Sequence, residues 1–363
     1  MEDGRYGESE PSLRGGNIDF QGGAMTHKTL DEKLAKVRAN PTANEFILAD
    51  AKDADMAHGI AAPGIDPERQ QSGRHFRSLQ EYRELIRENT SQASVDIMLM
   101  SASTSHILAV EEGIFNDSPV TPAIRANDTT DLWLARGAAY SRQPSLPFRS
   151  ASLDRAMHDK VDRELGKRAT GADLGLYSIT FSNDAVTDQL VLDAYAQFRE
   201  EAAAKGFRHF LEFFDPNAPL APIENTGEFM NDMIARTLAG VAGDARPIFL
   251  KVAYHGASAM EELASYDSEL IVGIMGGSSG TTFDAFHQLW EAREHGARAA
   301  LYGRMINNAE DQQSFIRHLR ALADGQTTPY DAVRSYHADL ERNGIRPLRT
   351  LENDLRATIS FGS

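Results

Sequence analysis

LIVGIMGGSSGTTFDAFHQLWEAREHGARAALYG, residues 270–303, is the stretch that decides the fold. A short apolar run, LIVGIM (270–275), stops at a glycine pair. A helix-period segment follows (281–296) and ends in His-Gly, a C-cap signal. A second apolar run, RAALYG (298–303), closes the unit. Strand, helix and strand in so short a compass make a βα repeat of a parallel sheet. Further back, the apolar runs are FILAD (46–50), VDIMLM (95–100), VTPAIRA (120–126), LGLYSITF (174–181), HFLEFF (209–214) and IFLKVAY (248–254). Helix-period segments at 78–89 and 184–206 separate some of them, and another, 310–325, follows the last strand. Eight strands, each followed by a helix, are the number that closes a barrel. An open doubly wound sheet usually has fewer strands and a glycine fingerprint after the first one; FILADAKDADMAHG (46–59) has no GxGxxG. The expected fold is α/β: a (β/α)8 TIM barrel, single domain with an N-terminal extension.

The barrel is expected over 26–327. Residues 1–25 are Gly-rich, polar and aperiodic and read as a flexible extension. Residues 127–153, rich in Pro, Arg and aromatics, read as a loop inserted over the barrel mouth. Residues 328–363, with the helix-like PYDAVRSYHADLERNG, read as a helical tail packing outside. The chain has 363 residues and a formal net charge of -16. That acidity disfavours a phosphate-backbone binder, so no nucleic-acid partner is expected, yet a local basic pocket can still hold an anionic substrate. There is no cysteine. Disulfides and thiolate chemistry are excluded, and the composition suits a reducing cytoplasm. No run of eighteen apolar residues and no signal peptide is found, so no membrane contact is expected.

In such barrels the chemistry sits at the C-terminal ends of the strands. Asp50 ends strand one as a candidate general base, with Lys52 and Asp53 after it. Arg125 follows strand three, and Tyr177 lies on strand four. Glu212 lies within strand five and Lys251 within strand six, between Leu250 and Val252. A lysine inside an apolar strand is costly if charged and unpaired. Either it points inward, where a desolvated amine can form an imine with a carbonyl, or it points to the helix layer and snorkels or pairs. Glu212 on the next strand can shuttle protons through the carbinolamine and imine stages; a structural Glu–Lys pair has the same geometry. Gly276 and Gly277 end strand seven, and Gly303 and Arg304 end strand eight. Backbone N–H groups and a helix dipole there suit a phosphate, although any single glycine is equally well explained by turn chemistry. The spaced carboxylates of DAKDAD are interrupted by Lys52, and the histidines show no HxxxH or HxH pair, so no metal is expected.

Together IFLKVAY, HFLEFF and the 270–306 stretch resemble the DhnA/LsrF-type class I aldolases, relatives of archaeal fructose-bisphosphate aldolase. The resemblance covers roughly residues 205–320, and ILAD is similar to the strand-one aspartate of that group. It implies that Lys251 forms the imine and that Glu212 and Asp50 assist proton transfer. It also implies that Gly276, Gly277, Gly303 and Arg304 hold a substrate phosphate. Tyr177 is the nearest counterpart of the family's strand-four acid/base. Lys52 and Arg125 are further anion contacts, Lys52 being also a rival reactive amine. The strand-one turn, the GGSSGTT loop and the 127–153 insert depart from the family pattern.

The expected activity is lyase chemistry on a sugar, sugar phosphate or related keto acid, with no cofactor and with a homo-oligomeric assembly. Two other outcomes stand beside it: imine-dependent transfer of the transaldolase or LsrF kind, and a non-catalytic sugar-phosphate-binding barrel. A lysine facing the helices favours the last.

Overall fold

Eight parallel strands close on themselves in this computed structural model, which describes residues 27–40, 43–66, 76–133, 135–158, 169–277 and 280–359. The barrel strands are β1 (Ile47–Lys52), β2 (Ile97–Met100), β3 (Thr121–Arg125), β4 (Leu174–Thr180), β5 (Arg208–Phe214), β6 (Leu250–Val252), β7 (Val272–Met275) and β8 (Ala299–Tyr302). Each pairs with its sequence neighbours, and β8 returns to β1 through Ile47–Ala299 to Asp50–Tyr302. The main helices are α1 (Thr29–Ala39), α2 (Leu79–Gln92), α3 (Ala185–Lys205), α4 (Thr226–Leu238), α5 (Ala257–Tyr266), α6 (Thr282–Glu294), α7 (Gln312–Ala323) and α8 (Pro329–Arg342). The expected (β/α)8 barrel is thus the observed fold. The extension 1–25 lies outside the described residues.

Strand period two sorts the side chains into two cores. Ile47, Ala49, Ile97, Leu99, Ala123, Leu174, Leu176, Phe210, Phe249, Ile271 and Leu301 fill the barrel axis. Leu48, Met98, Ile124, Tyr177, Ile179, Leu211, Phe213, Leu250, Val252 and Ile274 pack against the helices. Helix α1, which the strand pattern did not anticipate, buries Leu30, Leu34 and Val37 in the axial core. It therefore closes the barrel end away from the strand C-termini.

Local chemistry fixes the helix ends. Ser78 forms a capping box with Glu81 at the start of α2, and Asp184 caps α3 through Thr187 N. Gly206 ends α3 at φ 67, a left-handed position that glycine takes without strain. After β3, Asp128–Thr129 pairs antiparallel with Pro147–Phe148, so the described part of the 127–153 segment carries a short two-stranded ribbon. Helix α8 packs against α6 and α7.

His209, on the helix side of β5, meets the Tyr195 hydroxyl at 2.9 Å and is buried. Burial, aided by Arg199, pushes its imidazole down to about 4. The ring is held neutral in the fold, while the unfolded chain accepts a proton near 6.5. Stability is therefore lost as pH falls from about 6.5 towards 4. In His209→Gln, the loss of unfolding free energy between pH 7 and 4.5 is expected to shrink by about 2 kcal/mol. Denaturant titrations at the two pH values measure it; an unchanged difference rejects the assignment.

Candidate active site

Ser178, Glu212 and Lys251 stand side by side on β4, β5 and β6, because the ladder registers Ser178 with Glu212 and Glu212 with Lys251. Phe210 below Glu212 and Phe249 below Lys251 are axial, so period two turns both charged side chains inward. The next strand offers Gly273 beside Lys251, where an added Cβ would meet Ala299 Cβ at 2.7 Å. The gap beside the lysine therefore stays open.

Lys251 Nζ contacts Glu212 Oε1. Glu212 Oε2 accepts from Ser178 Oγ at 2.6 Å and lies 3.4 Å from Arg125 Nη2. Arg125 also donates from Nε to Asp53 Oδ2 at 2.6 Å and from Nη1 to Ser178 Oγ at 2.9 Å. Burial works against the Arg125 charge, but Asp53 and Glu212 beside it raise its pKa above the ordinary value. Asn127 clamps the Ser178 backbone, accepting from its N–H at 2.6 Å and donating to its carbonyl at 2.8 Å. The result is a continuous chain, Asp53–Arg125–Ser178–Glu212–Lys251, across five strands or strand ends. Buried charges are tolerable only when paired and hydrogen-bonded in this way.

Asp53, Arg125, Glu212 and Lys251 of this chain line an open cavity of about 120 Å³ at the strand C-termini, with His58, Leu132, Phe214, Gly276, Gly303 and Arg304 also in its wall. Arg304 is exposed at the cavity rim and has no ion pair or hydrogen bond among the described residues. Burial and the nearby Arg304 hold His58 below its usual value.

Three sequence candidates lie elsewhere. Strand β1 runs on to Lys52, and Ala49 and Ala51 take its axial positions. Asp50 and Lys52 consequently face the helix layer. There Lys52 Nζ sits 3.1 Å from Asp50 Oδ1 and donates to Asn307 Oδ1 (2.6 Å) and Gln312 Oε1 (2.9 Å), and Asn89 donates to Asp50 at 2.9 Å. Both are fully buried, and burial raises the Asp50 pKa and lowers that of Lys52. Asp53, three residues on, is the strand-one carboxylate that reaches the cavity. Tyr177 also faces outward, 5.2 Å from the Tyr195 ring and 4.4 Å from that of Phe198. Burial raises its hydroxyl pKa strongly, and it touches none of the inward groups named above.

The glycine ends need a correction too. Gly276 N–H bonds to Leu301 O at 2.8 Å, and Gly277 N–H to Gln288 Oε1 at 3.1 Å. The first amides of α6 are also taken: Thr281 N by Asp284 Oδ2 and Thr282 N by Asp354 Oδ1. Residues Thr358 and Ile359 of the tail donate in turn to Asp284. These amides are thus already paired, and the carboxylates occupy the place an anion would take at the helix N-terminus. Gly276 has a packing reason to be glycine, since a Cβ there would lie 2.2 Å from the Tyr302 ring.

Ser178 and Leu132 carry no mark in the sequence reading, and Asp53 enters it only as a residue that follows Asp50. Alternation in LGLYSITF could have found Ser178: Leu176 and Ser178 share the face opposite Tyr177, Ile179 and Phe181. Nothing local marks Leu132.

The fold and the inward lysine define a (β/α)8 barrel with a carboxylate-paired amine at its mouth. No family model matches the chain, and no curated protein matches it by sequence. Solved structures do match. An archaeal fructose 1,6-bisphosphate aldolase superposes with a TM-score of 0.58 at 16% identity, over 81% of this chain and 99% of the other. A Schiff base forming fructose-1,6-bisphosphate aldolase gives 0.57 at 17%, over 80% and 99%. The fructose-bisphosphate aldolase from Slackia heliotrinireducens gives 0.61 at 13%, over 89% and 94%. At these identities the likeness is one of fold. No described helix is long and apolar enough to cross a membrane.

Proposed function

We propose that this barrel is a class I aldolase-like lyase that makes or breaks a C–C bond in a sugar, sugar phosphate or related keto acid through an imine on Lys251. One observation carries the reading: Lys251 points into the mouth, in contact with the carboxylate of Glu212. Glu212 takes a proton from the amine, and Nζ adds to the substrate carbonyl to give a carbinolamine. The carboxylic acid then returns its proton to the departing hydroxyl, water leaves and the imine forms. The protonated imine draws in the electron pair of the breaking C–C bond while a base removes the proton of the hydroxyl beyond it. The enamine is reprotonated at carbon, and water releases the product. Ser178 and Arg125 hold Glu212 in place for these transfers. Asp53 and His58 line the cavity as further proton-handling groups, and Arg304 with Gly303 receives the substrate's anion. Gly276 leaves room beside them. None of these steps calls for a metal or organic cofactor. The expected partner is a small sugar or sugar phosphate.

Borohydride reduction in the presence of a panel of ketoses, ketose phosphates and keto acids, followed by peptide mapping, tests the reading. A substrate-dependent mass adduct on Lys251 is expected. In Glu212→Gln its rate of formation is expected to fall about 10²- to 10⁴-fold, the range for a lost acid–base group. No adduct on Lys251 with any member of the panel rejects the reading.

A further inference from the structure

In the closed order β1-β8-β7-β6-β5-β4-β3-β2, strands β4 and β8 are four places apart in either direction, so they face each other across the axis. Arg304 follows β8. It is the cavity's cationic pole and has no ion pair or hydrogen bond among the described residues; His58 stands near it in the wall. The cavity's other cations are engaged. Arg125 uses its nitrogens on Asp53, Ser178 and Glu212, and Lys251 meets Glu212.

The opposite rim is built differently. The ribbon segment after β3 bends inward through the turn Thr130–Leu132. Its Asp131 is buried and accepts from Thr180 Oγ1 of β4 at 3.1 Å and from Ser145 Oγ at 2.6 Å. That staple sets Leu132 into the cavity wall. A ligand reaching across the axis from Arg304 therefore meets a methyl-bearing side chain backed by a carboxylate. No cation of the described ribbon segment lines the cavity.

We infer that the site selects a carbonyl compound with a single anionic group, phosphate or carboxylate, held at Arg304. Its far end is uncharged and packs on Leu132, which is the specificity-determining residue against a second anion. The inference rests on the proposed anion subsite but not on imine chemistry. A second negative group would face an unpaired cost beside Asp131, and repulsion of that kind separates ligands more sharply than an added attraction.

Sugar alcohols provide the test, since they lack the carbonyl and cannot form an imine. Calorimetry would measure glycerol 3-phosphate and a hexitol 1,6-bisphosphate against the full chain. Glycerol 3-phosphate is expected to bind about tenfold or more tightly than the bisphosphate. In Leu132→Lys the bisphosphate should gain about tenfold, while glycerol 3-phosphate changes by less than about threefold. Leu132→Ala should move the ratio in the same direction by a smaller amount. Arg304→Gln should weaken both ligands. Equal or tighter binding of the bisphosphate by the native chain overturns the inference, as does an unchanged ratio in Leu132→Lys or binding of neither ligand. A failed borohydride adduct on Lys251 rejects the imine separately and leaves this result standing.

Discussion

Lys251→Arg is expected to reduce borohydride labelling to background and to lower turnover of any trapped substrate on the order of 10⁶-fold, the scale of removing a covalent nucleophile. Arginine is the informative replacement. It keeps a cation beside Glu212, so the buried carboxylate retains a partner and the fold is preserved. Its guanidinium does not lose a proton in proteins, so it cannot supply the neutral amine that attacks a carbonyl. Lys251→Ala mixes two effects, because it also removes a cationic partner from the buried Glu212, leaving only Arg125 and Ser178. Activity retained in Lys251→Arg, with the unfolding midpoint unchanged, would sink the covalent mechanism at Lys251.

The second large effect is on stability and falls behind the barrel wall. Lys52→Met is expected to destabilise the chain by about 3–5 kcal/mol, the usual consequence of breaking a buried pair from one side. Methionine fills the volume, so the loss reports charge. Asp50 is left with the Asn89 amide alone, and Asn307 and Gln312 lose their shared donor. In the double variant Asp50→Asn/Lys52→Met much of that loss should return, since the stranded carboxylate has gone. Denaturant unfolding of the two singles and the double gives the coupling energy directly. A coupling near zero would show that Asp50 and Lys52 are independent. The same variants separate the two lysines chemically: Lys52→Met should keep the Lys251 adduct, whereas a reactive Lys52 would lose it.

The candidate site was legible in part. Lys251 and Glu212 stood out because a charge inside an apolar strand has few tolerable environments, and adjacent strands bring such charges together. Arg125 was found by its place at the end of β3. Asp50 and Lys52 were read as mouth residues because the apolar run stops at Asp50. The strand in fact continues two residues, and alanines at 49 and 51 occupy the axial face. A polar residue on the outward face of β1 looks the same in sequence as one on a strand end, since its partners are Asn89, Asn307 and Gln312, far along the chain. Tyr177 was misplaced for the opposite reason: a hydroxyl suggested chemistry, while its neighbours at two-residue spacing belong to the helix-side core.

By itself the sequence determined the barrel, because the number of βα units and the period of the apolar residues are local properties that any stretch such as 270–303 carries in full. It also placed a lysine and a glutamate within neighbouring apolar strands. Only the tertiary structure decided which way those groups face, which carboxylate of the β1 segment reaches the cavity, and that the amides before α6 are taken by Asp284 and Asp354. It alone brought Leu132 and Arg304 into the wall of one cavity. Those outcomes depend on closure of the sheet, which puts β4 opposite β8 and Asp53 beside Arg125, contacts between residues that nothing in their own neighbourhoods links.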